Sequence, residues 1–278
     1  MKRLLFVLAA GIALGIGSGA QEGRTLIVFA AASLTDAFEM IAADFEAASP
    51  GVDLLFSFGG SSELAAQIAE GAPADVFASA NPRQMGAAQA SGRVDADAPV
   101  TFARNRLTLI VPADNPAGIG SLADLAQPGL TLVVASEGVP VRDYTEAMLA
   151  LLAEEEAFGA AYVEAFRANI ASEEPNVRQV AAKVALGEAD AGIVYASDVT
   201  PDLRESVLSF EIPDAVNTVA EYPIAALNDT PQPELAAAFM DAVVSADGQA
   251  TLETWGFIRA APEPVCFTLL FVVPVCLE

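Results

Sequence analysis

The chain alternates short apolar runs with amphipathic stretches. Residues 25–30 (TLIVFA) form an apolar, β-prone run. Leu34, Phe38, Ile41, Ala42 and Phe45 follow at the three–four spacing of a helix with one buried face. Pro50-Gly51 breaks the chain, and residues 52–58 predict a second strand. Gly59-Gly60-Ser61-Ser62 turns into a helix carrying Leu64 and Ile68, and residues 75–78 predict a third strand. From Arg106 a second series begins. Strands are predicted at 106–111, 131–135, 191–195, 206–212 and 219–227. Helices are predicted over about 141–152, around Phe158, Tyr162, Ala165 and Phe166, and along Val177, Val180, Ala181 and Val184. The strand at 219–227 would return the chain to the first unit. Leu235, Ala238, Phe239, Ala242 and Val243 then mark a closing helix, and residues 248–256 another. Such alternation implies an α/β fold of mostly parallel sheets flanked by helices. Two crossings between units would make a hinge and an interlobe cleft.

Composition narrows the function. The 278 residues are 54% apolar, enough for cores in two lobes. Thirteen Lys and Arg stand against 37 Asp and Glu, a formal charge of −24. A chain this acidic lacks the basic patches that nucleic acid or an anionic membrane surface requires. There is no His. That excludes Ser-His-Asp and Cys-His nucleophile systems and every metal site built on imidazole.

Residues 1–20 read as a signal peptide. Lys2 and Arg3 precede a 13-residue apolar stretch, and Ser18-Gly19-Ala20 matches a small-x-small cleavage site. Cleavage would leave 11 basic and 37 acidic residues, a charge of −26. At the other end, residues 265–277 (VCFTLLFVVPVCL) hold both cysteines, Cys266 and Cys276. An oxidising compartment would let them pair across a short loop; an extension without functional role is an equal reading.

In parallel sheets, ligands sit where strands end and the following helices begin. Two such places carry Ser: Ser33 in Phe29-Ala30-Ala31-Ala32-Ser33-Leu34-Thr35, and Ser61 in Ser57-Phe58-Gly59-Gly60-Ser61-Ser62. Unpaired helix N–H groups, the dipole and a hydroxyl together make an anion site that needs no Lys or Arg. Helix capping is the plainer reading of either Ser alone, and having two in one lobe makes the readings even. In the second unit, Gly138-Val139-Pro140-Val141 and Glu174-Pro175-Asn176-Val177 each precede a helix, and Tyr195 ends a strand with a phenolic donor. Alone, Tyr195 reads better as a half-buried strand residue. No phosphate-binding loop, dinucleotide fingerprint, G-x-S-x-G or S-x-x-K motif is present. The 154–156 Glu run and the Asp95/Asp97 pair are expected to be solvated surface. Asp36 and Asp198 are expected as dipole partners or turn residues.

Taken together, Ala30-Ala31-Ala32-Ser33-Leu34-Thr35, Ser57-Phe58-Gly59-Gly60-Ser61-Ser62, Gly71-Ala72-Pro73-Ala74-Asp75-Val76-Phe77, Gly192-Ile193-Val194-Tyr195-Ala196-Ser197-Asp198 and Glu221-Tyr222-Pro223 resemble the periplasmic molybdate-binding proteins of ABC transporters. The likeness runs from about residue 25 to 257. It implies the two-lobed type II periplasmic-binding-protein fold, with lobe I at 21–105 and 227–257, lobe II at 106–226, and an atypical extension at 258–278. It implies a tetrahedral oxyanion, molybdate or tungstate, held without cofactor or counter-charge. The donors would be the hydroxyls of Ser33, Ser61 and Tyr195 and the backbone N–H groups of Val141 and Val177. It further implies a periplasmic, monomeric receptor that hands its ion to a membrane permease and performs no chemistry. Arg142 stands where the family often has Gly, and on a helix start is expected to face solvent. The alternatives are a receptor for sulfate or another oxyanion, an enzyme acting on an anionic substrate through Ser33 or Tyr195, or an adhesive protein. Against the enzyme, no His exists and no Lys stands beside either Ser.

Overall fold

A computed structural model describes residues 24–260 and two short strands beyond them, Cys266–Phe267 and Val275–Cys276. The signal-like segment and most of the 258–278 extension lie outside the described residues. The chain builds two sheets, one per lobe. β1 (Arg24–Ala31) feeds helix α1 (Thr35–Ala48), and β2 (Val52–Gly59) feeds α2 (Ser61–Ala69). Then come β3 (Val76–Ala78), α3 (Pro82–Ala90) and β4 (Val100–Asn105). The apolar stripe predicted from Phe38 and Ile41 is the buried face of α1. The pattern misses α3, whose sequence PRQMGAAQA has almost no stripe. Asn81 caps it by accepting the Gln84 N–H, and Pro82 presets its first turn.

The chain crosses at Asn105-Arg106 into β5 (Leu107–Pro112). The second lobe continues through β6 (Leu132–Ala135), α4 (Pro140–Glu154), α5 (Gly159–Ala168), β7 (Ile170–Glu174), α6 (Val177–Ala185), β8 (Ala191–Tyr195) and β9 (Val207–Glu211). It returns as β10 (Ala220–Ala226), followed by α7 (Pro233–Val244), α8 (Ala246–Thr254) and the short β11 (Ile258–Arg259). The two tail strands are β12 and β13, with Cys266 opposite Cys276 in an antiparallel pair.

Two sequence expectations need correction. The sheets are mixed rather than mostly parallel. In lobe I, β1 is parallel to β2 and β3, but β10, β4 and β11 are antiparallel neighbours. In lobe II, β6 is parallel to β7 and β8, while β5 pairs antiparallel with β8 and β9. The strands that lead the chain out and back cannot all run with the βα units, because outgoing β4 and returning β10 lie side by side. The return also comes earlier than residue 227: β10 already bonds to β3 and β4, so the crossing lies before Ala220. At the hinge, buried Asn217 accepts the Leu107 N–H and donates to the Leu107 carbonyl, at 3.0 and 2.9 Å. That couples the two crossing segments.

The apolar core runs through both lobes without a break. In lobe I it centres on Phe38, which meets Phe239 edge-on at 5.8 Å and Phe102 at 5.7 Å. A second cluster on the other face joins Phe29 and Phe77 to Leu64 and Ile68 of α2 and Met85 of α3.

Candidate functional site

Four helix starts converge on one cavity between the lobes. From lobe I come the 3-10 turn Ala32–Leu34, which leads into α1, and the first residue of α2. From lobe II come the first turns of α4 and α6 and the last residue of β8. Ser33, Ser61, Val141, Val177 and Tyr195 all border this cavity; Ala31, Ala32, Gly59, Gly60 and Ala80 complete the lobe I wall. The cavity is small, about 10 Å³. That is on the scale of a single small occupant. A sugar or peptide would require a larger chamber.

The hydrogen bonds of the two serines decide between capping and display. The caps are Ala31 for the 3-10 turn and Gly60 for α2, and neither makes a side-chain capping bond. Ser61 Oγ instead accepts the Ala80 N–H at 3.0 Å. Its own proton is therefore free to point elsewhere. Ser33 Oγ lies 3.0 Å from the Tyr222 hydroxyl. Both serines are buried. Tyr195 is fully buried, and its hydroxyl has no protein partner. A buried polar atom left unpaired costs stability, so this orphan marks a place where a ligand atom belongs. Burial, helped by Tyr222, Tyr144 and Asp198 nearby, pushes the Tyr195 phenol well above its ordinary pKa. It stays protonated and able to donate. Val141 and Val177 lie in the first turns of α4 and α6, where N–H groups lack an intrahelical acceptor.

No Lys or Arg lines the cavity. Arg142 neither faces solvent nor reaches it. Its guanidinium is buried against lobe II, bonded to the Ala135 carbonyl and paired with Glu146 and Glu173 at 2.9 and 2.8 Å. The residue that sequence reasoning missed is Arg178, on α6. It pairs with Asp36 of lobe I at 2.5 Å and with Asp198 of lobe II at 2.9 Å. Asp36 and Asp198 are thus halves of an interlobe ion cluster, more than dipole partners. Asp198 also accepts the Tyr195 N–H at 3.1 Å, which fixes the end of β8.

Burial outweighs Arg178 and the Tyr195 N–H and raises Asp198 to about 6. An acid whose folded pKa exceeds its unfolded value, about 3.9, binds its proton more readily when folded. Its contribution to stability is therefore greatest below pH 4 and is lost as pH rises through 6. In denaturant unfolding of the wild type and of Asp198→Asn, the wild-type advantage should shrink from pH 4 to pH 7. An advantage that grows over that window would mean the ion pair, not burial, dominates.

The lobes close tightly around the cavity. A Cβ on Gly60 would stand 2.4 Å from the Pro175 carbonyl oxygen of lobe II. Only Gly permits this approach. Elsewhere between the lobes, Asp143 of α4 receives Asn81 at 3.0 Å and Arg83 at 2.8 Å, and Gln84 donates to the Gly138 carbonyl at 2.7 Å. The polar start of α3, invisible in the apolar pattern, is thus a closing edge of lobe I.

Among the described residues, no group of three or more acidic or thiol side chains is placed to hold a metal ion, and no helix is long and apolar enough to cross a membrane. Comparison with known proteins agrees with the geometry. The bacterial extracellular solute-binding protein family matches residues 26–258. The molybdate-binding protein ModA of Mycobacterium tuberculosis is 41% identical over 239 residues, covering 86% of each chain. The periplasmic molybdate-binding protein of Azotobacter vinelandii superposes with a TM-score of 0.73 at 21% identity, over 84% of this chain and 99% of that one. The sulfate-binding protein SubI of M. tuberculosis gives 0.77 at 21% identity, over 86% and 88%. At such identities the two structures speak for the fold alone.

Proposed function

Because the chain belongs to the bacterial extracellular solute-binding proteins, we propose that it captures molybdate in the interlobe cavity and delivers it to the permease of an ABC transporter. It acts as a periplasmic, monomeric receptor and not as an enzyme: lobe closure on the ion is the signal the permease reads. The observation that carries this reading is the Tyr195 hydroxyl, buried and unpartnered at a cavity where two serines and two helix starts also face inward.

Five neutral donors are sufficient for the task. Hydrogen bonds to a charged group contribute roughly 1.5–3 kcal/mol each, so five supply about 8–15 kcal/mol before ordering costs. Nanomolar to submicromolar binding needs roughly 8–12 kcal/mol. The net charge of −24 acts at long range and is screened within about 8 Å at physiological salt, whereas the donors act at contact. Selectivity follows from the same inventory. Phosphate near neutral pH carries a proton that seeks an acceptor; molybdate, tungstate and sulfate carry none. Tungstate has nearly the shape of molybdate and should bind as well. Sulfate is smaller, so its contacts in the same cavity would be longer.

Thermal unfolding tests this directly. At 100 times its dissociation constant a ligand stabilises by about 2.7 kcal/mol. Molybdate and tungstate should each raise the midpoint, and phosphate should not. The shift should persist in 0.5 M NaCl, because no Lys or Arg side chain meets the ion. A midpoint indifferent to every oxyanion would refute the reading, and a response to sulfate alone would reassign the ligand.

A further inference from the structure

The Glu221-Tyr222-Pro223 motif has no place among the five donors, yet Tyr222 stands directly behind one of them. It lies on β10, fully buried, at a register shift between Tyr222 and Pro223 where β10 passes β4. A bulge of this kind aims a side chain and tolerates the missing N–H of Pro223. The Tyr222 ring meets Tyr195 of lobe II at 5.8 Å and Phe257 at 5.3 Å, and its hydroxyl reaches Ser33 of lobe I at 3.0 Å.

Either oxygen of that last bond can donate, and the neighbouring groups point to Tyr222 as the donor. Asn105 Oδ1 accepts the Arg106 N–H at 2.9 Å, so the other end of the Asn105 amide is its NH₂ group. That group donates to Ser197 Oγ at 2.8 Å and to the Tyr222 hydroxyl at 3.4 Å. Tyr222 is therefore an acceptor from Asn105, and burial holds its phenol well above the ordinary pKa, so it keeps its proton. The proton has Ser33 Oγ within reach. If Tyr222 supplies the proton of that bond, the Ser33 proton is left free for the cavity that Ser33 borders.

We propose that Tyr222, oriented by Asn105, is the residue that sets oxyanion specificity by locking Ser33 as a donor. With Tyr222 donating, the Ser33 proton is available to the ion; were Tyr222 to accept instead, only Ser33 lone pairs would face it, and those suit the proton of an ion such as hydrogen phosphate. This inference rests on the oxyanion-receptor reading above. It adds a positioning residue that never touches the ion and a reason for an Asn at the lobe crossing.

The test is calorimetric titration of molybdate and phosphate at pH 7 into wild type, Tyr222→Phe, Ser33→Ala and the double variant. Tyr222→Phe keeps the ring and its packing. It should weaken molybdate about tenfold, the loss of one well-directed hydrogen bond to a charged group, and narrow the molybdate-to-phosphate ratio, since Ser33 regains the freedom to accept. In the Ser33→Ala background the same substitution should change neither affinity. Asn105→Asp is a second route that leaves Tyr222 in place. It accepts where Asn donates, reverses the chain, and should narrow the ratio likewise. A Tyr222→Phe variant with the wild-type ratio, or an equal effect with and without Ser33, would overturn this inference while leaving the receptor reading intact. A wild type that binds no oxyanion would remove both.

Discussion

Gly60→Ala should abolish high-affinity binding while leaving the unliganded protein as stable as the wild type or slightly more so. Gly60 has φ −64° and ψ 128°, a conformation open to any residue, so the substitution introduces no backbone strain. Replacing such a Gly by Ala commonly adds about 0.4–1 kcal/mol by restricting the unfolded chain. The damage appears only on closure. The new Cβ would lie 2.4 Å from the Pro175 carbonyl oxygen, roughly an ångström inside ordinary contact. Neither atom can yield, since both are attached to backbone at helix starts. Lobe II must then stand off by about that ångström. Hydrogen bonds from Val141, Val177 and Tyr195 to an ion seated on lobe I would lengthen from about 2.9 Å toward 3.9 Å, beyond bonding range. Losing these three bonds costs roughly 4.5–9 kcal/mol, a thousandfold or more in affinity. Gly59→Ala is the control: its Cβ would meet Leu64 at 3.5 Å, an ordinary contact. If titration calorimetry finds Gly60→Ala binding molybdate as the wild type does, the tightly closed form is not the binding form.

Tyr195→Phe should separate stability from affinity in the opposite sense to most buried substitutions. The hydroxyl has no protein partner, so removing it deprives no other group of a hydrogen bond, and in the closed form the ring keeps its edge-on contacts with Tyr144 and Tyr222. The unliganded midpoint should hold. Molybdate affinity should fall about 10- to 150-fold, the loss of one hydrogen bond to a charged group of roughly 1.5–3 kcal/mol. A variant that is destabilised yet binds normally would make Tyr195 the ordinary strand tyrosine that its sequence position alone suggests.

Much of the fold was legible along the chain, and the misses share a cause. β1, β2, α1, α4, α6 and β8 bury a continuous face in a single core, so their apolar periodicity is strong. β7 (IASEE) is an edge strand with mostly polar side chains, and α3 is short and nearly without a stripe. Both are held by tertiary partners: β7 by its parallel ladder with β6, α3 by the Asn81 cap and its packing on α2. Arg142 shows the same limit. Its position at a helix start suggested solvent, but the Ala135 carbonyl, Glu146 and Glu173 close over it from three segments.

The sequence by itself determined the chemistry available to the site: no His, strand-end serines, a strand-end tyrosine, two helix starts in the second series and five motifs in family order. These are properties of residue type and local order, which a linear chain carries explicitly. Only the tertiary structure decided whether those groups cap their own helices or face a shared space. It also set the Tyr222 hydroxyl against Ser33 and decided why residue 60 admits no side chain. Those outcomes depend on Ala80 meeting Ser61, Tyr222 meeting Ser33 and Pro175 meeting Gly60, contacts between residues 19, 189 and 115 positions apart. A hydrogen-bond direction or a steric limit exists only once both partners are in place, and no local pattern encodes the second partner.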